Sequence, residues 1–213
     1  MRKVIYSTMV SLDGFVEGPN RNLNWVIIDE ELHSFINDQH GEIDTFLFGR
    51  RMYEIMVYWD TADQDLANPE YVLEFARIWK RIHKIVFSKT LERVQGNATL
   101  SRGNIAEEIV KLKAQPGKDM SVGGATIAAA LTPLNLIDEY QLFIQPVILG
   151  RGTPMFGLSE DKTGLRLIES HTFHSGVVLL RYELARYQRA RYQVAGQESV
   201  GEAQHAEIHH STT

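Results

Sequence analysis

The sequence predicts an α/β protein in which a mixed, mainly parallel sheet is flanked by helices. Short apolar runs alternate along the chain with segments whose apolar residues have helical spacing, which is typical of parallel strands connected by helices. The last two β-rich runs, within residues 165–184, lie on either side of His174-Ser175-Gly176. This pattern predicts a C-terminal antiparallel hairpin at the edge of the sheet.

The first part of the chain is expected to contain two strands and two helices. β-branched and aromatic residues predict the first strand, which Asp13-Gly14 ends. Leu32, Phe35 and Ile36 have helical spacing behind an acidic start, so they predict a helix. The predicted elements are a strand over residues 3–12, a loop over 15–28, a helix over 29–39, a strand over 44–48 closed by Gly49, and a helix over 50–57.

The middle of the chain continues this alternation. Phe75, Ile78 and Trp79 share one face of a predicted helix, and Asn104 is a typical N-cap residue for a later one. The predicted elements are a helix over residues 70–81, a strand over 84–88, a helix over 104–114, a strand over 120–122, a helix over 125–131 and a long strand over 138–149.

Length and composition limit the class of protein. The chain has 213 residues, of which 44% are hydrophobic and 23% charged, so it can bury a complete core. We expect one domain over residues 1–186 and a flexible tail over 187–213, which is rich in polar residues. The net charge of −5 argues against nucleic-acid binding. Because no apolar run suits a membrane span and no leader is recognisable, we expect a cytoplasmic protein.

Several chemistries are excluded by features that the sequence lacks. Cysteine is absent, which excludes disulfides, cysteine nucleophiles and Cys-ligated zinc. Gly150-x-Gly152 is half of a dinucleotide fingerprint, but Met155 stands where a third glycine is needed, so no Rossmann fingerprint is present. His171 and His174 are expected on opposite sides of a strand, so no metal site is predicted. A Walker A loop and a nucleophile elbow are also absent from the sequence.

Three turns at predicted strand ends have residues that suit phosphate. Gly123-Gly124-Ala125-Thr126 joins a strand to a helix, where glycine lets an anion approach backbone N–H groups. Gly49-Arg50-Arg51 has the same layout, with two arginines that can bind phosphate. Ser88-Lys89 follows a strand and suits the 2′-phosphate of NADP. The alternatives are a tight turn that binds nothing and ordinary solvated charges.

Five motifs at the predicted strand ends follow one another in a characteristic order. They are Ser11-Leu12-Asp13-Gly14-Phe15, Phe48-Gly49-Arg50-Arg51-Met52-Tyr53-Glu54, Phe87-Ser88-Lys89-Thr90-Leu91, Val122-Gly123-Gly124-Ala125 and Pro146-Val147-Ile148-Leu149-Gly150-Arg151-Gly152. Together they resemble the dihydrofolate reductase-like superfamily, in particular the branch that contains the reductase domain of bifunctional riboflavin-biosynthesis proteins. The resemblance covers about residues 1–185.

The resemblance implies NADPH as the cofactor, bound across the strand ends, and a homodimer. Two residues, Leu149 and Gly150, match positions beside the nicotinamide. Gly49, Arg50 and Arg51 match the first phosphate-binding helix start, and Ser88 and Lys89 match the strand end that meets the adenosine phosphate. The pyrophosphate turn is matched by Gly123, Gly124, Ala125, Thr126 and Ile127.

The departures from the family pattern concern the substrate. Phe15 stands where riboflavin-pathway reductases usually have a basic residue, and Val122 stands where they usually have Glu. Met52 and Met56 replace their usual Thr and Asp, so a phosphoribosyl substrate would lack polar partners. The zinc deaminase half is missing as well, because the chain has no Cys. The carboxylate that binds the pterin in dihydrofolate reductases is ambiguous here between Asp29 and Glu30.

Four further residues are candidates for the substrate side of the site. Asp13 could be a polar catalytic group, or it could help Gly14 to form a turn. Phe15, Trp25 and Tyr53 could stack on a flat heterocycle, or they could belong to the core or to a dimer interface. The sequence thus predicts an NADPH-dependent reductase of a small heterocyclic substrate. The alternatives are a pyrimidine reductase of riboflavin synthesis, a pteridine or dihydrofolate reductase, and a dimeric nucleotide-binding protein without catalysis.

Overall fold

The computed structural model describes residues 1–157 and 162–185. Its main element is an eight-stranded sheet, and a separate pair of short strands lies beside it. The strands are β1 (Val4–Ser11), β2 (Phe15–Glu17), β3 (Ile43–Gly49), β4 (His83–Phe87), β5 (Ala98–Ser101), β6 (Asp119–Gly123), β7 (Glu139–Gln145), β8 (Thr153–Pro154), β9 (Leu165–Thr172) and β10 (Val178–Leu184). The helices are α1 (Glu30–Gln39), α2 (Arg50–Met56), α3 (Glu70–Arg81), α4 (Ile105–Ala114) and α5 (Ala125–Leu131).

The order of strands in the main sheet is β5-β4-β3-β6-β1-β7-β10-β9. Strands β5, β4, β3, β6, β1 and β7 run parallel to one another. Strand β10 is antiparallel to both β7 and β9. The predicted mixed, mainly parallel sheet with a closing hairpin is therefore confirmed, and the carboxyl ends of the six parallel strands lie at one edge of the sheet.

Helices cover both faces of the sheet. On one face α4 and α5 bury Ile109, Ile127 and Leu131 against β1, β3, β6 and β7. On the other face α3 places Phe75 and Trp79 against β3 and β4, and α1 packs Leu32 against β7 and β10. The fully buried Trp79 ring stacks near Phe48 at a centroid distance of 5.8 Å, as expected for the apolar stripe of an amphipathic helix.

Two helix starts match the predicted local signals. Asp29 accepts a hydrogen bond from the Leu32 N–H at the start of α1. The predicted cap Asn104 accepts hydrogen bonds from the N–H groups of Ala106 and Glu107 at the start of α4. In each case a short polar side chain satisfies backbone donors that have no partner within the helix.

The structure differs from the expected elements at three places. The long strand predicted over residues 138–149 ends at Gln145, because Pro146 has no N–H to continue the ladder. Strand β5 and the β2–β8 pair were not predicted, since each is short and is held by pairing with a distant segment. The predicted tail over residues 187–213 lies outside the described residues. In the described ranges, the helices are too short or too polar to cross a membrane.

Candidate functional site

The predicted phosphate-binding turns meet at the carboxyl edge of the parallel strands. Gly49 ends β3, Ser88 follows β4, and Gly123 ends β6. Strands β4, β3 and β6 are neighbours in that order. In an open α/β sheet this edge is where ligands bind, so the topology brings together three motifs that are far apart in the sequence.

The two glycine turns pack directly against each other. A Cβ built on Gly49 would lie 3.5 Å from the side chain of Ile127, and one on Gly124 would lie 3.3 Å from Met52 Cβ. Gly124 has a φ of +97°, a backbone conformation that favours glycine. A side chain is therefore disfavoured at Gly124 by both backbone conformation and space, whereas a Cβ at Gly49 would make an ordinary van der Waals contact.

The N-termini of α2 and α5 have no side-chain cap among the described residues. Gly49 and Gly124 occupy the N-cap positions and offer no side-chain oxygen. This contrasts with α1 and α4, which Asp29 and Asn104 cap. The backbone N–H groups at the two turns are therefore available to an anion.

A groove of about 370 Å³ lies beside these turns. It is formed by the ends of β4 and β5 and by the first turns of α4 and α5. Its lining includes the predicted residues Ser88, Lys89, Thr126 and Ile127, together with Arg102. The groove therefore joins two of the predicted phosphate motifs and adds a second cation. A larger hollow of about 440 Å³ beside Asp60 and Lys80 contains none of the predicted site residues.

Arg102 is a site residue that the sequence analysis missed. Its guanidinium donates hydrogen bonds to the backbone carbonyls of Lys89 and Leu91. It therefore fixes the loop after β4 and adds positive charge next to Lys89. The signal in the sequence is weak, because Arg102 becomes part of the groove only through the parallel pairing of β5 with β4.

The predicted arginines of α2 are both engaged in ion pairs. Arg50 Nε donates to Glu54 at 2.7 Å, and its guanidinium also reaches Thr90 Oγ1. Arg51 pairs with Glu17 at 2.7 Å. Both arginine side chains remain about half exposed, so such pairs add little stability and a phosphate can compete for the guanidinium groups.

Asp13 lies against the turn that contains Leu149 and Gly150. One carboxylate oxygen accepts the Leu149 N–H at 3.1 Å, and the other accepts the Gly150 N–H at 2.7 Å. The Ser11 hydroxyl also donates to Asp13. The structure thus brings together the predicted polar residue of the site and the two residues predicted beside the nicotinamide, although 136 positions separate Asp13 from Leu149.

These hydrogen bonds favour the ionised form of Asp13. Desolvation opposes ionisation, but the donors on Leu149, Ser11 and Gly150 outweigh it and hold the pKa of the Asp13 carboxyl below its ordinary value. The side chain is consequently a carboxylate at neutral pH. In this geometry it acts as an acceptor that fixes the turn, and it has no proton to donate.

The three aromatic candidates for substrate stacking occupy different environments. Phe15 begins β2 and is half-buried, with its N–H donating to the Ser11 hydroxyl. Trp25 is half-buried in the segment before α1, and its Nε1–H donates to the Asn22 carbonyl. Both lie in segments that follow β1, and neither lines the groove beside Lys89.

Tyr53 lies in the core and does not support the stacking hypothesis. Its side chain is 5% exposed and packs with the cluster beneath α3. Its hydroxyl accepts the Gln95 N–H at 2.9 Å. The ring is covered because the inner face of the short helix α2 points towards β3 and β4. Tyr53 therefore fits the alternative that the sequence left open, a core residue.

The chain is similar in sequence to known proteins. A family model described as the RibD C-terminal domain matches residues 2–179. The chain is 36% identical over 185 residues to the uncharacterized protein YyaP of Bacillus subtilis (strain 168), which covers 85% of this chain and 94% of that protein.

Two solved structures have the same fold. One is a protein of Shewanella sp. PV-4 described as a candidate riboflavin biosynthesis protein, with a TM-score of 0.69, 21% identity, and coverage of 87% of this chain and 100% of the other. The second is a diaminohydroxyphosphoribosylaminopyrimidine deaminase/5-amino-6-(5-phosphoribosylamino)uracil reductase of Thermotoga maritima, with a TM-score of 0.60 and 14% identity. It matches 86% of this chain and 57% of its own length.

Proposed function

The chain belongs to the RibD C-terminal domain family, and on that premise we propose that it is a reductase that transfers a hydride from NADPH to a small heterocyclic substrate. The observation that carries the cofactor assignment is the groove in which Lys89 and Arg102 lie beside Ser88 and Thr126. Two cations and two hydroxyl groups suit the 2′-phosphate that distinguishes NADPH from NADH.

The remaining cofactor contacts in this proposal follow the strand ends. The uncapped starts of α2 and α5, with Gly49, Gly123 and Gly124, would hold the pyrophosphate through backbone N–H groups. Arg50 and Arg51 can exchange their carboxylate partners for phosphate oxygens. The cofactor supplies the hydride, and the protein contributes its orientation and the exclusion of water.

In this arrangement Asp13 is a positioning residue. Its carboxylate holds the N–H groups of Leu149 and Gly150, the residues proposed beside the nicotinamide. The turn carries a φ of +72° at Gly150. A fixed turn here sets the distance between the hydride donor and the acceptor, and a small error in that distance is costly to the reaction rate.

The part of the site that we assign to the substrate is bordered by apolar residues. Leu12 and Ile148 are 64% and 70% exposed and lie on segments that the Leu12 N–H to Val147 carbonyl bond joins. Phe15 and Trp25 lie on neighbouring segments and can stack on a flat ring. This border favours a neutral heterocycle without a phosphoribosyl group, with the pyrimidine substrate of riboflavin synthesis and a pteridine as the alternatives.

We further propose a homodimer through the exposed edge of the sheet. Strand β9 pairs on one side with β10, and Leu165, Leu167 and Ile168 on it are exposed. Strand β9 contributes no residue to the core cluster that α4 and α5 form with β1, β3, β6 and β7. An exposed apolar edge strand is suited to pairing with a second copy.

Calorimetric titration with NADPH and NADH tests the cofactor assignment. Wild type should bind NADPH more tightly than NADH. Lys89→Ala and Arg102→Ala should each weaken NADPH binding about tenfold, the loss expected for one charge-assisted hydrogen bond, and should leave NADH binding nearly unchanged. Lys111→Ala, at an exposed lysine on α4, is the matched control. If wild type binds neither nucleotide, the proposal is wrong.

A turnover assay separates the reductase from the non-catalytic alternative. Oxidation of NADPH is followed with 5-amino-6-(5-phosphoribosylamino)uracil and with pyrimidines and pteridines that lack phosphate. We expect turnover with a heterocycle that lacks the phosphoribosyl group. NADPH binding without turnover of any of these compounds would favour a nucleotide-binding protein.

A further inference from the structure

Gln145 is a fully buried polar residue at the end of β7. Its side-chain Oε1 accepts the Ile27 N–H at 2.9 Å, and its Nε2 donates to the Ile27 carbonyl at 3.3 Å. One side-chain amide thus satisfies both backbone groups of a residue 118 positions away. These two hydrogen bonds resemble the pair that a residue makes with a neighbouring strand in a sheet, except that here the side-chain amide takes the place of one backbone.

The segment that Gln145 holds is residues 22–28, here called the Trp25 segment. Among the described residues, the other hydrogen bonds of the segment are local, such as Val26 N–H to Leu23 carbonyl and Trp25 Nε1–H to Asn22 carbonyl. Bonds of this kind shape the segment without fixing it to the sheet. The two bonds to Gln145 therefore set its position relative to β7.

Gln145 also directly precedes the turn that Asp13 binds. Residues 146–150 follow it, and the N–H groups of Leu149 and Gly150 donate to Asp13. The Trp25 segment carries Trp25 and the partly exposed Ile27 and Ile28. Gln145 thus lies between the segment with candidate substrate contacts and the turn proposed beside the nicotinamide.

Burial of the Gln145 side-chain amide has a cost in desolvation free energy. Burying a primary amide is unfavourable unless all its groups are paired, and an aliphatic side chain would fill the same space without that requirement. The pairing of both amide groups with one backbone residue therefore indicates a role in orientation. Gln141, on the same strand and face and also buried, makes no such bond to the Trp25 segment.

We infer that Gln145 is a positioning residue that holds the Trp25 segment as one wall of the substrate cleft. The inference rests on the proposed function, which puts the substrate at this edge of the sheet. It predicts that loss of the amide displaces the Trp25 segment, while the sheet, the core and the cofactor groove remain in place.

Fluorine NMR of protein labelled with fluorotryptophan tests this inference. The chain has three tryptophans, so Trp25→Phe assigns the resonance of Trp25 against those of Trp59 and Trp79. In Gln145→Leu the Trp25 resonance should shift or broaden, and the other two should stay. Gln141→Leu, the matched control, should leave all three unchanged. An unshifted Trp25 resonance in Gln145→Leu, or an equal shift in the control, would overturn the inference.

Gln145→Glu provides a second test that remains valid if Gln145→Leu does not fold. A protonated carboxyl has one O–H donor and one carbonyl acceptor, which is enough to replace the two bonds that the Gln145 amide makes to Ile27. Burial raises the pKa of a carboxyl. At low pH the Trp25 resonance of Gln145→Glu should match wild type, and it should move away as the pH rises and the carboxyl ionises. If it follows the wild-type pH profile throughout, the inference fails.

NADPH titration keeps the two proposals distinguishable. Gln145→Leu should bind NADPH within about twofold of wild type, because the groove around Lys89 lies at the ends of β4 and β5. If wild type does not bind NADPH, the proposed function fails while the Trp25 resonance still decides the role of Gln145. If Gln145→Leu alone loses NADPH binding, Gln145 acts on the cofactor site and the inference is overturned.

Discussion

The ring of Phe48 occupies the space that any side chain at position 123 would need. A Cβ built on Gly123 would lie 2.7 Å from Phe48 Cδ1 and 3.3 Å from Met52 Cγ. Phe48 is itself buried and stacks at 5.4 Å from Phe46, so it cannot move without disturbing the core. This contact explains why β6 ends in glycine at the proposed pyrophosphate turn.

Gly123→Ala should therefore destabilise the protein. Adding one methyl group to a packed core costs about 1–3 kcal/mol, which urea unfolding measures. Gly41→Ala is the matched control, because a Cβ at Gly41 would have no neighbour within 4 Å. Equal unfolding midpoints for the two variants would contradict the packing argument.

Asp13→Asn should reduce stability at neutral pH and change its pH dependence. The pKa of Asp13 is lowered in the folded state, so its carboxylate contributes stability above the unfolded value of about 3.8. That contribution is lost as the pH falls through the lower folded value. Urea unfolding near pH 7 and near pH 3 should show a difference between wild type and Asp13→Asn that shrinks at the lower pH.

A control at an exposed carboxylate makes this result specific. Glu92 is exposed, so Glu92→Gln should unfold at nearly the wild-type urea concentration at both pH values. If Asp13→Asn behaves in the same way as Glu92→Gln, the hydrogen bonds to Leu149 and Gly150 do not contribute to stability, and the positioning role of Asp13 loses its support.

Because of Lys84, the wild type should be more stable at about pH 9.5 than at pH 7. Its ammonium is buried, donates to the Trp79 carbonyl at 2.7 Å and lies 4.4 Å from the Trp79 ring centroid. Burial lowers the pKa of Lys84 to about 8, so between about pH 8 and 10.5 the unfolded chain binds more protons and the free energy of unfolding rises with pH.

The size of this effect is expected to be on the order of 1–2 kcal/mol between pH 7 and 9.5. Lys84→Met removes the titrating group, so its free energy of unfolding should lack that increase. Lys111→Met, at an exposed lysine, should keep the wild-type slope. The interpretation fails if Lys84→Met and wild type respond equally to pH.

Leu167→Lys should prevent the proposed dimer. Leu167 is 49% exposed on the edge strand β9, and a charge on an edge strand opposes association. Light scattering should give twice the chain mass for wild type and a single chain mass for the variant. Leu66→Lys, at a residue 86% exposed outside the sheet, should remain dimeric. A monomeric wild type would end this proposal.

The accuracy of the sequence predictions depended on how local each signal is. The helix predicted over residues 70–81 is α3, with the same bounds, because apolar spacing acts within a few turns. The cap at Asn104 was found for the same reason. In contrast, β5 has four residues, and its pairing with β4 holds it at the sheet edge. No signal within those four residues reports that partner.

In the candidate site as well, residues with a local signal were predicted and residues placed by tertiary contacts were not. The turns at Gly49, Ser88 and Gly124 were recognisable because glycine and hydroxyl residues at strand ends have a local conformational cause. Arg102 was missed, since it reaches Lys89 only through the pairing of two strands. The sequence left Tyr53 open between substrate stacking and the core or a dimer interface, and the packing of α2 on the sheet places its ring in the core.

The sequence by itself therefore determined the alternation of strands and helices, the glycine turns and the family, because these depend on residue type and short spacing. Tertiary structure alone decided which residues share a site. Asp13 meets Gly150, and Gln145 meets Ile27, because β1 and β7 pair in parallel and bring segments from opposite ends of the chain to one edge. Contacts over such distances follow from sheet register, which no short stretch of sequence specifies.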